Sequence, residues 1–429
     1  EALVSRFAVL DMPVISDTDL QKLLVDNYDI LVTAETKLAM LKALGKVSDP
    51  YITTGDYMEA LGTPGVGSTG GEWMVIGLAR SGRTVPAGYY DNVVEYVKAM
   101  ADANERLHRA KVTDNARVIL ALTAIGKDVT NVGGHNLLKG LDNMAYVQKQ
   151  GINGPIFTLI ALDSHNYPTM GDVTREKLIQ VILDAQLSDG GWNLSGESAD
   201  TDMTAMAIQA LAPYYKTNET VKAAVDKALE ALSALQRSDG GFGSWGTVNS
   251  ESCAQVIVAL TALGIDPATD SRFVKNGSTV LGALAGFYVD GGGFKHTADG
   301  ERNGMATEQA YYALAFFYKS VPSQTTLTKA AKAGSGKLKA TWKKAAINTD
   351  YVTKKSGKTA AVSGYQIVCA TNKSFTKGVV KTTAGSKALS KTVTGLKKGK
   401  TYYVKVRAYK TVNGKKLYGT YSKALKCRV

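Results

Sequence analysis

The sequence predicts a multidomain α plus β protein, a six-hairpin α6/α6 toroid followed by a β-sandwich. Three observations carry this reading. An acid-Gly-Gly-aromatic turn recurs along the chain, apolar helical segments recur beside it, and charge and texture change sharply near residue 325.

The turns are Gln186-Leu-Ser-Asp-Gly-Gly-Trp192, Gln236-Arg-Ser-Asp-Gly-Gly-Phe242 and the looser Asp290-Gly-Gly-Gly-Phe294. The first two start 50 residues apart and the third trails by a similar interval. Self-similarity at such a period marks stacked supersecondary units. Glycine can take φ > 0 and end a helix, while the aromatic docks between neighbouring hairpins. The turns are therefore read as hinges and wedges.

Six segments are apolar nearly all round, as helices packed on both sides must be. They end at equivalent leucines: Trp73 to Leu78, Arg117 to Leu122, Phe157 to Leu162, Ala207 to Leu211, Val256 to Leu260 and Ala310 to Leu314. Between them, 90–100, 136–146, 174–186, 219–236 and 273–288 place apolar residues at i, i+3, i+4 and i+7. With 35–44 as the first such segment, six outer and six inner helices close a ring, and a closed ring needs no capping repeat. Residues 1–34 are left as an N-terminal extension, 35–322 form the toroid, and 323–429 form the sandwich.

In the last segment, period-2 alternation takes over at 337–343, 364–371, 388–394 and 402–410, and Asn413-Gly414 is a hairpin signal. Trp342 in the second strand, Gly364-Tyr-Gln-Ile-Val-Cys369 in the third and the corner Leu396-Lys-Lys-Gly-Lys-Thr-Tyr402 resemble fibronectin type III modules. Cys369 falls where such modules place an aromatic, and reads as a small buried hydrophobe.

Composition bounds the function. A hydrophobic share of 45% with 21% charged residues is that of a globular protein. Residues 1–325 carry 26 Lys+Arg against 37 Asp+Glu, whereas 326–429 carry 25 against one, Asp350. Opposite signs imply different surroundings for the two parts. The basic residues follow strand positions without a recognition motif, which argues against nucleic acid. Cys253, Cys369 and Cys427 are too widely spaced for a zinc knuckle or disulfide framework. No apolar run approaches a membrane span, and Glu1 reads as the start of a mature or trimmed chain.

The Gln-x-x-Asp-Gly-Gly-aromatic repeats resemble those of the terpenoid cyclase and protein prenyltransferase superfamily over roughly residues 35–320. The toroid is also similar to those of cobalamin carriers and complement thioester domains. Gly151-Ile-Asn-Gly-Pro-Ile-Phe157 and Gln209-Ala-Leu-Ala-Pro-Tyr-Tyr215 resemble secreted clostridial-type surface proteins, which implies a secreted or cell-surface location.

Each chemistry the resemblance implies can be tested at its own residues. Class II terpenoid cyclases protonate an alkene with the middle acid of Asp-x-Asp-Asp. Here the run is Asp200-Thr201-Asp202-Met203, with Asp202 in the general-acid place and Met203 in place of the last acid. Capping of the inner helix by Asp200, with Asp202 favouring its positive N-terminus, is the structural alternative. Prenyltransferases bind zinc through Asp, Cys and His. Here Glu251-Ser-Cys253 supplies two ligands, the His position holds Gln309, and the nearest His is His296 in the preceding loop. No metal or other cofactor is expected, and Cys253 reads as a packed thiol. A thioester Cys-Gly-Glu-Gln run is absent. Asp202 and Glu251 stand nine residues before their leucines in adjacent hairpins, where a carboxylate pair could face the ring mouth. Among the four histidines, His165 is the one expected near a pocket.

The expectation is a non-catalytic surface binding protein. Its cup is formed at the inner-helix N-termini by Glu72, Trp73, Asp114, Phe157, Asp202, Glu251, Glu308 and Tyr311. The ligand is an unidentified small amphipathic molecule, glycan or protein, and the basic sandwich is a spacer or an anchor to an anionic cell-wall polymer. The alternative is an enzyme acting on a terpenoid or prenyl substrate through Asp202, with Asp200 beside it.

Overall fold

The computed structural model describes residues 50–81, 83–320, 322, 325–345, 362–412, 415–419 and 421–429. The extension 1–34, the outer segment 35–44 and the Asn413-Gly414 turn lie outside the described residues. Two compact units emerge, Glu1–Ala315 and Phe316–Val429.

In the first unit, outer helices α1 (Pro50–Ala60), α3 (Gly88–Met100), α5 (Met144–Val147), α7 (Arg175–Asp184), α9 (Glu219–Leu235) and α11 (Val280–Ala285) alternate with inner helices. The inner six are α2 (Glu72–Ser81), α4 (Val112–Ala124), α6 (Asn153–Asp163), α8 (Thr201–Leu211), α10 (Ser250–Ala262) and α12 (Gly304–Ser320). Most of their apolar residues are buried, although α12 exposes Met305 and Tyr318 near its two ends.

The outer layer is less regular than the apolar spacing suggests. Gly55 and adjacent threonines mask the pattern of α1, so the sequence reading places no helix there. The 136–146 segment breaks into a 3-10 turn at Lys139–Leu141, and Asn143 caps α5 by accepting from Tyr146 N. Within 273–288, Asn276-Gly277 turns a hairpin, and the Thr279 hydroxyl accepts from Gly282 N to start α11 late.

The repeated turns bind each hairpin to the next. Leu187 N–Gly191 O, Arg237 N–Gly241 O and Val289 N–Gly293 O are the same hydrogen bond in three copies. Gly240 (φ 83°) and Gly292 (φ 104°) occupy the left-handed region. A Cβ on Gly240 would stand 2.5 Å from the Thr279 carbonyl oxygen, and one on Gly292 2.6 Å from that of Thr53. Each glycine thus lets the turn touch backbone of the following hairpin. Gln186 donates to Gly190 O and Ala224 O, and Gln236 to Gly240 O and Phe273 O, so one amide ties a turn to the next outer layer. In the third copy Tyr288 takes the glutamine's place, and its hydroxyl meets Thr53 Oγ1 at 2.7 Å. That bond, with Gly293 N donating to Thr54 Oγ1, joins the sixth hairpin to the first. The ring is closed.

The second unit packs two antiparallel sheets. One has the order β11-β8-β7, made of β7 (Leu327–Lys332), β8 (Leu338–Trp342) and β11 (Ser390–Val393). In the other, β10 (Val380–Gly385), β9 (Gly364–Ala370) and β12 (Thr401–Val412) run side by side. Two short strands, β13 (Lys415–Tyr418) and β14 (Leu425–Arg428), follow one another along the far edge of β12. Trp342, Tyr365, Val404 and Val406 lie in the core, and Lys397 N donates to the Tyr402 hydroxyl at 3.0 Å, closing the expected tyrosine corner. Cys369 is fully buried, and burial pushes its thiol up to about 12. This is a fibronectin type III-like sandwich.

Candidate functional site in the toroid mouth

The shared leucines put the six inner helices in register. Leu78, Leu122, Leu162, Leu211, Leu260 and Leu314 are all buried. Five residues earlier stand Trp73, Arg117, Phe157, Met206, Gln255 and Gln309, and each is half-buried between two buried chain neighbours. One partly open position per helix, at the same height, is the layer that faces the ring's interior. Nine residues before the leucines come Thr69, Thr113, Asn153, Asp202, Glu251 and Met305, which form the rim.

Cross-ring contacts floor this cup. The Trp73 ring meets Phe157 edge-on at 6.1 Å, passing over α4, and lies 5.3 Å from Tyr312. Gln209 donates to the Tyr312 hydroxyl at 3.0 Å, passing over α10, and Gln255 donates to Gln309 at 3.1 Å. The α2 and α6 side is aromatic. The α8, α10 and α12 side offers methionine and amides.

The expected acids divide into two kinds. Glu72 and Glu308 are equivalent residues one step before the layer, turned between helices and almost wholly buried. Glu72 accepts from Arg117 Nε at 2.7 Å and from Gly67 N, and burial still raises its carboxyl. Asp114 holds the same guanidinium at 3.2 Å. These three groups brace α2 against α4. Glu308 Oε1 accepts from Gly70 N at 2.7 Å, while its buried Oε2 has no hydrogen-bond partner among the described residues. Burial lifts this carboxyl to about 7.

Asp202 and Glu251 are rim residues. Burial lifts Asp202 from 3.8 to about 6, with the Asp200 and Glu251 carboxylates adding to the rise and the Ser252 hydroxyl opposing it. Its buried Oδ1 has no hydrogen-bond partner among the described residues, and the same holds for Oδ1 of its rim neighbour Asn153. Asp200 is spent on structure, since it accepts from Met203 N to cap α8 and from the Ser244 hydroxyl. Met203, where a cyclase has its last acid, is buried. Glu251 accepts from the Ser250 hydroxyl at 3.0 Å and pairs with His296 Nδ1 at 2.9 Å.

His296, not His165, is therefore the histidine at the mouth. His165 is exposed beyond the C-terminal end of α6, against Tyr167. Tyr311 also lies away from the cup, fully buried with Met58, Met74 and Leu78 and stacked on Tyr51 at 5.4 Å. Its neighbour Tyr312 is the aromatic that meets Trp73. Sequence reading missed Arg117, Asn153, Met206, Gln209 and Gln255. Counting back five and nine residues from the leucines would have found all of them but Gln209.

The repeat also explains Cys253. Four residues after the caps Asp200 and Asn303, the Thr204 and Thr307 hydroxyls accept the N–H of the turn aromatics, Trp192 and Phe294. Cys253 is four residues after the cap Asn249, and the backbone of the turn aromatic Phe242 lies close enough to its thiol to oppose the rise that burial causes. It fills a threonine's slot, and burial pushes it up to about 12, far from thiolate. Among the described residues no group of three His, Cys, Asp or Glu could hold a metal ion. No helix among them is long and apolar enough to cross a membrane.

No curated protein matches the chain. Among solved structures, ent-copalyl diphosphate synthase from Streptomyces platensis is 22% identical over 57% of this chain and 49% of its own, with a TM-score of 0.39. The chain thus spans about half the length of that synthase. A fibronectin type III domain from the human KIAA0970 protein is 20% identical over 26% of this chain and 77% of its own, with a TM-score of 0.21. The family model for the prenyltransferase alpha-alpha toroid domain matches residues 105–328, more than half of the sequence. With its closed ring and repeated Gly-Gly-aromatic turns, the chain belongs to the prenyltransferase α-α toroid domain family.

Proposed function

We propose that the toroid mouth binds a small amphipathic molecule carrying hydroxyl or amine donors. One observation carries this: the adjacent rim acceptors, Asn153 Oδ1 and Asp202 Oδ1, are buried without partners above a cup that is aromatic on one side. Buried polar atoms rarely stay unpaired, and a ligand's donors would satisfy both. Its apolar body would lie on Trp73 and Phe157. Binding needs no chemistry at Asp200, which is occupied as a helix cap. A secreted or cell-surface setting, implied by resemblance, is part of this proposal.

Equilibrium dialysis against a cobalamin and an isoprenoid alcohol tests it, since the first presents amide donors around a flat ring system and the second a hydroxyl on an apolar chain. Binding of one, weakened about tenfold or more by Phe157→Ala, is expected from loss of an aromatic anchor. Retention of neither compound removes the reading.

A second reading rests on Asp202 itself. A buried carboxyl at the cup's rim, lifted to about 6, holds its proton to higher pH than an ordinary aspartate, as a general acid that protonates an alkene must. Incubation with squalene or geranylgeranyl diphosphate, compared with Asp202→Asn, decides it. Product from the unaltered protein alone supports the enzyme; unchanged substrate in both discards it.

A further inference from the structure

The outer face of the five-stranded sheet interleaves cations with aromatic rings. Tyr402, Val404, Val406 and Ala408 of β12 are buried in the core, and the alternating Lys405 and Arg407 stand on the opposite face. The Lys405 ammonium lies 4.0 Å from the Phe375 ring centre and 4.2 Å from that of Tyr421. The Arg407 guanidinium lies 4.3 Å from Tyr421 and 3.8 Å from Tyr418. Tyr421 is shared, so the groups form one stack. Gln366 on β9 accepts from Arg407 Nε and from the Tyr421 hydroxyl, which holds both in place. Lys381 on β10 and Lys405 both face Val368 across their ladders, so the two lysines share a row across three strands.

We propose that this face binds a linear polyol-phosphate chain, with successive phosphates on Arg407, Lys405 and Lys381. Charge complementarity is the first argument: residues 326–429 hold 25 Lys+Arg and one acid, and here three cations converge. Lys405 is held below the ordinary lysine range, by burial first and then by Arg407 and Lys381, as expected where positive charges crowd. Position is the second. Lysines that protect a sheet from aggregation belong on edge strands such as β10, which carries Lys381, whereas Lys405 and Arg407 stand on β12, flanked by β9 on one side and by β13 and β14 on the other.

Geometry narrows the anion. Lys405 and Arg407 are about 7 Å apart along the strand, and Lys381 is about 10 Å across from Lys405. A single phosphate cannot span the three; a chain of them can. Single-stranded nucleic acid is held by stacking bases on open aromatic faces. Here Phe375, Tyr418 and Tyr421 are each already covered by a cation of this protein. The rings also pre-order the two cations, which lessens the entropy lost on binding, and the planar guanidinium suits phosphate oxygens.

The test is titration of the full chain with poly(glycerol phosphate) over a range of salt concentrations. Three phosphate contacts predict a slope of log K against log salt of about −2. Lys405→Gln with Arg407→Gln should weaken binding by about tenfold or more and flatten the slope to about −0.7. Lys329→Gln with Lys332→Gln removes two exposed charges from β7 in the other sheet and should cost less than about threefold. Should the first pair fail to fold, the exposed Lys381→Gln decides, with an expected slope change of about 0.7. Equal weakening by both pairs would leave only net charge as the cause and overturn the site. Tighter binding of single-stranded DNA than of the polymer, or no polymer binding at low salt, would overturn it as well.

Discussion

Gly240→Ala isolates the contact by which one hairpin docks on the next. At φ 83° an alanine is strained by about 1–2 kcal/mol. Its Cβ would also lie 2.5 Å from the oxygen of Thr279 and 2.8 Å from that residue's backbone carbon and nitrogen. These atoms cannot swing aside, because Thr279 caps α11. Overpacking of this kind adds about 1–3 kcal/mol. Gly126 is the control: its φ is 71°, but a Cβ there meets nothing within 4 Å. Gly126→Ala carries the strain alone, and the stiffer unfolded chain contributes equally to both variants. The difference, about 1–3 kcal/mol, corresponds to about 1.5–4.5 °C in Tm for a unit of this size. Thermal unfolding followed by far-ultraviolet circular dichroism measures it. Equal losses in the two variants would refute the docking role of the turn.

Three further predictions test the site and the sandwich. Burial raises Asp202 from 3.8 to about 6, so between these values the folded chain binds the proton more tightly than the unfolded chain. Stability from this group is therefore greatest below about pH 4 and falls as pH rises toward 6. Asp202→Asn should raise Tm at about pH 8 and leave it unchanged near pH 3.5, and a gain at both would point to another cause. Cys253→Ser should stay within about 1 kcal/mol of the parent in urea unfolding, since a hydroxyl fills the slot in two other repeats, whereas Cys253→Ala should lose about 1–3 kcal/mol. Tyr402→Phe removes the acceptor of Lys397 N and should destabilise the sandwich by about 0.5–1.5 kcal/mol, read from its near-ultraviolet signal on heating.

Much of the fold was legible because its signals are local. Inner helices are apolar on all sides, so their six copies stand out, and the Gly-Gly-aromatic turns mark hairpin joints through φ > 0 and close packing. The outer layer was harder to read. Its helices touch the ring on one side only, so Asn276-Gly277 can break a periodic run, and α1 persists with Pro50 and Gly55 inside it. The site was half legible. Trp73, Phe157, Asp202 and Glu251 were identified by type and position, but Tyr311 and Tyr312 differ by only one residue along a helix. That step of about 100° separates a core ring from a cup ring. Spacing alone does not say which faces inward until the neighbours are placed.

The sequence by itself determined the ring, the sandwich and the hinge role of the repeated turns, since each follows from periodicity, glycine conformation and apolar content. It also separated an acidic unit from a basic one, through counting alone. Only tertiary structure decided which acids are braces and which are rim groups, because Glu72 and Asp202 differ in what the next helix brings to them. Arg117 reaches Glu72, whereas Asp202 Oδ1 is left without a hydrogen bond among the described residues. Tertiary structure likewise placed His296 on Glu251 across 45 residues and stacked Lys405, Tyr421 and Arg407 into one surface. Burial and partnership, the quantities that tune a carboxyl or hold a cation, belong to contacts between distant segments.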